Sequence, residues 1–209
     1  MRSSQIAVML ASTLIGCRGK PSQPPFSLAV FTPDGSSIVF SVSNAETCFL
    51  YKAEISNGSM RRLTESTSGC EFDPAFSTDG KRLAFMRAER NGLPAALLLA
   101  NADGRNERVL VPADHDSLQP AFVPDSDQIL FLRSAVFEHY SPIAGSRRHK
   151  FDVFGVDCSS GKVSQLTYKA FYDLSHISIS ADAKEILLTI YTSEGSQFLI
   201  APVLSPGSS

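Results

Sequence analysis

Asp34, Asp79, Asp125 and Asp182 each follow a bulky apolar residue by three positions, in Phe31-Thr-Pro-Asp-Gly35, Phe76-Ser-Thr-Asp-Gly80, Phe122-Val-Pro-Asp-Ser126 and Ile179-Ser-Ala-Asp-Ala183. Carboxylates in such turns could act as general acids and bases or hold a cation, but those chemistries need two or more of them to converge. Their separations are 45, 46 and 57 residues, which places each aspartate in its own copy of a repeating unit. They are expected to build turns instead, accepting hydrogen bonds from their own turn backbone while Pro sets φ and Gly supplies a positive φ. Other reactive constellations are missing from the sequence: no Gly-x-Ser-x-Gly elbow, no phosphate-cradling Gly-rich loop and no His-Glu-x-x-His segment occurs. His139 and His149 have no second close-spaced ligand pair, so neither a metal nor a cofactor is assigned.

The elements that must position these groups are short strands. In each copy a strand A ends at Phe31, Phe76, Phe122 or Ile179 and the aspartate turn follows. Strand B is then nearly all apolar, as in Ile38–Phe40, Leu83–Phe85, Ile129–Leu132 and Ile186–Leu188, which suits a strand buried on both faces. Strand C comes next, at Phe49–Ile55, Leu97–Ala100, Phe151–Val156 and Phe198–Ala201. Turns at Asn57-Gly58, Asp103-Gly104 and Ser160-Gly161 lead to Leu63, Val109 and Leu166 on a strand D. No helical period is convincing from Pro25 onward. A repeat in the middle forties is the length of one four-stranded propeller blade. The expected fold is therefore all-β, a β-propeller of about four blades at 26–66, 71–112, 117–168 and 174–203.

Pro74-Ala-Phe-Ser-Thr-Asp-Gly-Lys-Arg-Leu-Ala-Phe85 resembles the TolB-type or WD40-like blade, with close matches at Pro120–Asp125, Phe31–Gly35, Arg62–Thr64 and Gln165–Thr167 and a degenerate fourth copy. The resemblance spans roughly residues 26–203 and implies a propeller. TolB itself has six blades and an extra N-terminal domain, and this chain departs from it in both. Similar blades occur in prolyl oligopeptidase-type enzymes, which need a separate hydrolase domain, and in oligogalacturonate lyases. Sialidase Asp-boxes separate Asp from Gly, whereas Asp34-Gly35 and Asp79-Gly80 are adjacent. After Val203 too little sequence remains for a fourth D strand, so blade 4 is expected to have three strands and an open edge. An open arc or imperfect ring is expected first and a pair of chains completing a larger ring second; a closed four-bladed ring and a piece of a longer propeller also stay open as outcomes.

Aligning the starts of strand A puts Asp73, Gln119 and His176 at equivalent positions on the mouth of the central channel, with Leu28 as the blade 1 counterpart. The extra residues behind the 57-residue spacing, Val136–Lys150, fall in the B–C connection of blade 3 on the same face. Within them, Phe137 and Tyr140 form an aromatic patch and Arg147 and Arg148 a basic one. Aromatic anchors and carboxylate-pairing guanidinia suit partner recognition, although a hydrated channel mouth and a solvated loop would use the same residues.

Met1–Gln5 followed by the apolar run Ile6–Ile15 reads as a signal peptide over 1–16, too short to span a bilayer. Leu14-Ile15-Gly16-Cys17 resembles the bacterial lipobox, which implies lipidation at Cys17 and a Pro-rich tether over 17–25; residues 204–209 form a tail. Arg18 after the cysteine implies, by the family's sorting rule, an outer-membrane address facing the periplasm in a two-membrane bacterium. Three further cysteines fit export: Cys48 and Cys70 are placed for a disulfide, with unpaired thiols as the alternative, and Cys158 is expected to be free. A net charge of −2 gives no footprint for nucleic acid. The reading is a non-enzymatic, lipid-anchored envelope module that binds a protein or polymer, with homodimerisation through the blade 4 edge as a further option. The alternative is a carbohydrate-binding or polysaccharide-lyase-like propeller.

Overall fold

The computed structural model describes residues 28–43, 48–67, 69–89, 94–141, 145–192 and 195–203, the side chains of 137–148 excepted. The signal segment, Cys17, the tether and the tail lie outside the described residues. All regular structure among the described residues is β. Blade 1 comprises β1 (Val30–Phe31), β2 (Ser37–Ser43), β3 (Cys48–Glu54) and β4 (Met60–Arg62). Blade 2 holds β5 (Cys70–Phe76), β6 (Arg82–Ala88), β7 (Ala95–Asn101) and β8 (Arg108–Val111). Blade 3 holds β9 (Asp116–Phe122), β10 (Gln128–Ser141), β11 (Gly145–Asp157) and β12 (Val163–Gln165). Blade 4 has β13 (Asp173–Ile179), β14 (Glu185–Thr192) and β15 (Gly195–Pro202) in a three-stranded sheet. Neighbours within each blade pair antiparallel in chain order, the meander of a propeller blade.

The apolar B strands are explained by what lies on each side of them. Leu83 and Phe85 face Val39, Leu50 and Leu63 of blade 1, while Ala84 and Met86, one residue out of phase, face Ile129 and Phe131 of blade 3. Leu130 and Leu132 then face Leu174, Ile177, Ile186 and Leu188 of blade 4. Burial on two sides leaves no position for a polar residue, and each fully buried Leu or Phe contributes roughly 1.5–3 kcal/mol. Three cores thus join four blades in series, and no core cluster among the described residues joins blade 4 to blade 1. A disulfide joins Cys48 to Cys70, and the same two residues make the one parallel pairing that links blades 1 and 2 into an eight-stranded sheet.

Several expectations need correction. Leu63 and Leu166 lie just past β4 and β12, yet their amides still donate to the Leu50 and Val153 carbonyls at 2.8 and 2.9 Å, so the ladder runs one residue further. Val109 does lie on the D strand β8, where an irregularity opposite Leu97 and Leu98 turns it outward, 57% exposed, and gives the core positions to Leu110 and Val111. The insertion of blade 3 is a hairpin rather than a loop. β10 and β11 stay paired from Val136↔His149 to Ser141↔Gly145, beyond the last rung to β9 at Ser134↔Asp116. Those six extra residues of β10 extend the ribbon by ~20 Å at the usual rise of a strand.

Candidate functional site

Strand A is the inner strand of each blade; in blades 2 and 3 it is bulged at the same level, and in blade 4 the bulge lies one rung further from the aspartate turn. Asp73 and Pro74 together oppose Phe85, Gln119 and Pro120 oppose Phe131, and in blade 4 Ser175 is the extra residue between Leu174 and His176. Proline inside a strand is tolerated at a bulge because it has no N–H to place in the ladder. Asp73 and Gln119 adopt φ of 50° and 53°, a left-handed conformation that an aspartate accepts easily and a glutamine at some cost. A bulge re-aims the side chain that carries it. Here the Gln119 N–H donates to the Asp73 carboxylate at 3.1 Å, and the Gln119 side-chain oxygen meets His176 Nδ1 at 3.0 Å. An amide oxygen only accepts, so Nδ1 is the donor of this pair. The three residues therefore form one hydrogen-bonded row across blades 2, 3 and 4. Leu28 does not join it in strand pairing, since β1 begins at Val30.

Two aromatic side chains stand exposed in the connection that leads into β13. Tyr168 and Tyr172 in the connection between blades 3 and 4 are 78% and 62% exposed. The Tyr172 ring lies 4.7 Å from that of His149, at the base of the projecting hairpin. Asp152 on β11 holds this connection by accepting from the Thr167 hydroxyl at 2.7 Å and from the Lys169 N–H at 2.8 Å. Phe137 sits opposite Arg148 and Glu138 opposite Arg147 in the hairpin register; the side chains of Phe137, Tyr140, Arg147 and Arg148 lie outside the described residues.

Sequence reasoning missed a second polar centre. Glu71, fully buried two residues before Asp73, accepts from the Arg87 guanidinium at 2.6 Å, from the Leu50 N–H at 3.2 Å and from the Thr64 hydroxyl. Arg87 also reaches Glu107 at 2.6 Å. Burial works to lower the Arg87 pKa, but the hydrogen bonds to Glu107 and Glu71 outweigh it and raise it. Thr64 and Thr167 both belong to the Leu-Thr steps of the blade, and in both blades the threonine hydroxyl serves a buried carboxylate. In blade 3 the residue matching Arg87 is Arg133, opposite Ser117 rather than a carboxylate, and its guanidinium stacks over Phe131 and Phe154. Burial pulls the Arg133 pKa down, with Asp114 partly offsetting it. The signal available was an acid or arginine interrupting otherwise apolar inner strands. Among the described residues no group of three or more His, Cys, Asp or Glu side chains is arranged to hold a metal.

No family model matches the chain. It is 32% identical over 166 residues to a dipeptidyl-peptidase 5 of Porphyromonas gingivalis, an alignment covering 73% of this chain and 22% of that protein. The chain thus spans about a fifth of that relative's length. Among solved structures, TolB from Acinetobacter baumannii superposes with a TM-score of 0.64 at 21% identity, covering 86% of this chain and 41% of that one. The putative TolB from Agrobacterium tumefaciens gives 0.65 at 18%, covering 88% and 60%. An oligogalacturonate lyase from Vibrio parahaemolyticus gives 0.54 at 17%, covering 77% and 44%. At such identities the likeness speaks to architecture, and together with the serial meanders and their three shared cores it establishes that the chain has the TolB-type β-propeller fold.

Proposed function

We propose that the protein is a non-catalytic binding module of the bacterial cell envelope, exported and lipid-anchored through Cys17, which holds a protein or envelope polymer at the mouth formed by the inner strands. The observation that carries this reading is the Asp73–Gln119–His176 row, three polar groups from three blades joined by hydrogen bonds, the first two in matching bulges. Backbone strain kept at two of these positions is what a site maintained for contact looks like. The projecting hairpin and the exposed Tyr168 and Tyr172 supply anchors along one side. A general-base role for His176 fits less well. Its Nδ1 partner is an amide rather than a carboxylate, and Asp73 is committed to a backbone N–H.

A carbohydrate-binding or polysaccharide-cleaving role is the second reading, favoured by the likeness to oligogalacturonate lyases and by a histidine in the row. One variant separates the two. With Asp73, Gln119 and His176 all changed to alanine, capture of an envelope partner from solubilised membranes should fall at least tenfold while the far-UV circular dichroism is kept. Loss of turnover on a panel of acidic polysaccharides by that same variant would instead support the enzymatic reading. Unchanged capture would remove the row from the binding surface. Mass spectrometry of the mature N-terminus tests the anchor: an unmodified Cys17 ends that part of the proposal.

A further inference from the structure

β15 bonds β14 along one side, and nothing among the described residues pairs with its other edge. The C strands β3, β7 and β11 each hold a D strand at the corresponding edge. Backbone parity shows what that edge offers. The Val203 N–H donates to the Lys184 carbonyl at 2.8 Å. In an antiparallel ladder, Gln197, Leu199 and Ala201 then also turn their backbone groups toward β14, while Ser196, Phe198, Ile200 and Pro202 turn theirs outward. Pro202 has no N–H, and it falls in the outward set, where its loss does not disturb β14. On the side-chain level, Phe198 and Ile200 are 72% and 64% exposed, opposite Thr189 and Leu187. The strand Gly-Ser-Gln-Phe-Leu-Ile-Ala-Pro carries no charge, and its pairing with β14 is unbroken by any bulge. The devices that normally keep a sheet edge from pairing are therefore missing along its length, apart from the terminal Pro202.

We propose that β15 is a self-pairing strand through which two copies of this chain join edge to edge, antiparallel, about a two-fold axis at Leu199. A two-fold axis places a strand antiparallel to itself, and this register, 196–202 against 196–202, pairs four outward-facing residues of each strand where one centred on Phe198 pairs three. Phe198 then lies opposite Ile200 of the partner subunit and each supplies outward backbone groups, so the two such pairs exchange both of their hydrogen bonds. At each end the Ser196 N–H meets the carbonyl of the partner's Pro202, for about six backbone bonds in all. Each exposed ring is set beside an exposed aliphatic side chain. The two three-stranded blades merge into one sheet, and each copy covers the edge that the other leaves open.

The test uses the full chain with Cys17→Ser, studied by light scattering, amide exchange and cross-linking. A two-strand interface is small, so the mass should rise from monomer to dimer with concentration. Exchange of the Phe198 and Ile200 amides should slow in step with it, while Gln197 and Leu199 are protected throughout. Leu199→Cys should give a covalent dimer on mild oxidation, because two copies of this residue face each other across a non-hydrogen-bonded pair, and Gln197→Cys should not. Phe198→Lys should return the mass to monomer without changing the circular dichroism; were that variant to misfold, the cysteine pair still decides. A monomer at every concentration overturns the proposal, as does a dimer that Leu199→Cys fails to cross-link. Concentration-independent protection of Phe198 and Ile200 would place a segment of the same chain on the edge and overturn it equally.

Discussion

At the scale of single residues, the turn aspartates do what their setting asks of them in three copies out of four. The hydroxyls of Thr32, Ser77 and Ser180 donate to Asp34, Asp79 and Asp182 at 2.6, 2.6 and 2.7 Å, and the amides two residues past each aspartate add a second bond. These bonds, the hydroxyl first, lower all three carboxyl pKa values, Asp34 to about 2. Blade 3 has Val123 where the others have a hydroxyl, and there the expectation of a backbone-capping aspartate fails. The positive φ moves onto Asp125 itself, the Ser126 hydroxyl accepts from the Gln128 N–H, and Asp127 takes the bonds from Arg82 and Ser159. Because Asp34 is more acidic folded than unfolded, its contribution is present above its ordinary 3.8 and is lost as pH falls toward about 2. Asp34→Asn should therefore lower the urea midpoint at pH 7, and the gap to the parent chain should close by about pH 2. A gap of constant size across that range would mean that the carboxylate charge plays no part in the turn.

At the scale of elements, stability depends on how closely successive blades approach. Gly104, at φ 84°, lies where a β-carbon would overlap the Leu63 carbonyl of blade 1. Gly58 occupies the equivalent turn of blade 1 at φ 71° with open space around it. Both glycines pay the left-handed cost of an added methyl, roughly 1 kcal/mol, but only Gly104 adds a clash between blades. Gly104→Ala should cost about 2–3 kcal/mol and Gly58→Ala about 1 kcal/mol in chemical denaturation. Equal losses would show that the turn backbone, rather than the approach of blade 2 to blade 1, sets the requirement. The packing of blade 2 on blade 3 likewise lets Arg108 donate to the Cys158 carbonyl. It also buries the Cys158 thiol, and burial pushes its pKa up to about 11. Such a thiol is a poor nucleophile at neutral pH.

At the scale of the whole molecule, among the described residues blade 1 packs its core on blade 2 alone. The Cys48–Cys70 disulfide ties blade 1 to blade 2 across a separation of 22 residues. In the chain-entropy model a loop of that length is worth about 3 kcal/mol, close to ~10 °C of melting temperature for a domain of this size. Reduction, or Cys48→Ser with Cys70→Ser, should produce that loss, and differential scanning calorimetry would read it. A shift below ~2 °C would mean that the blade 1–2 core around Leu50, Leu83 and Phe85 carries the junction alone. The repeat of short antiparallel strands and the apolar B strands were legible in the sequence, because each follows from local periodicity and turn chemistry. The sequence also aligned Asp73, Gln119 and His176. Only the tertiary structure decided that they touch, since that depends on bulges in three strands and on the spacing of blades held by three separate cores. Likewise the pairing of Glu71 with Leu50 and Thr64 and the hairpin in place of a loop rest on contacts between residues apart in the chain, and local pattern carries no information about such contacts.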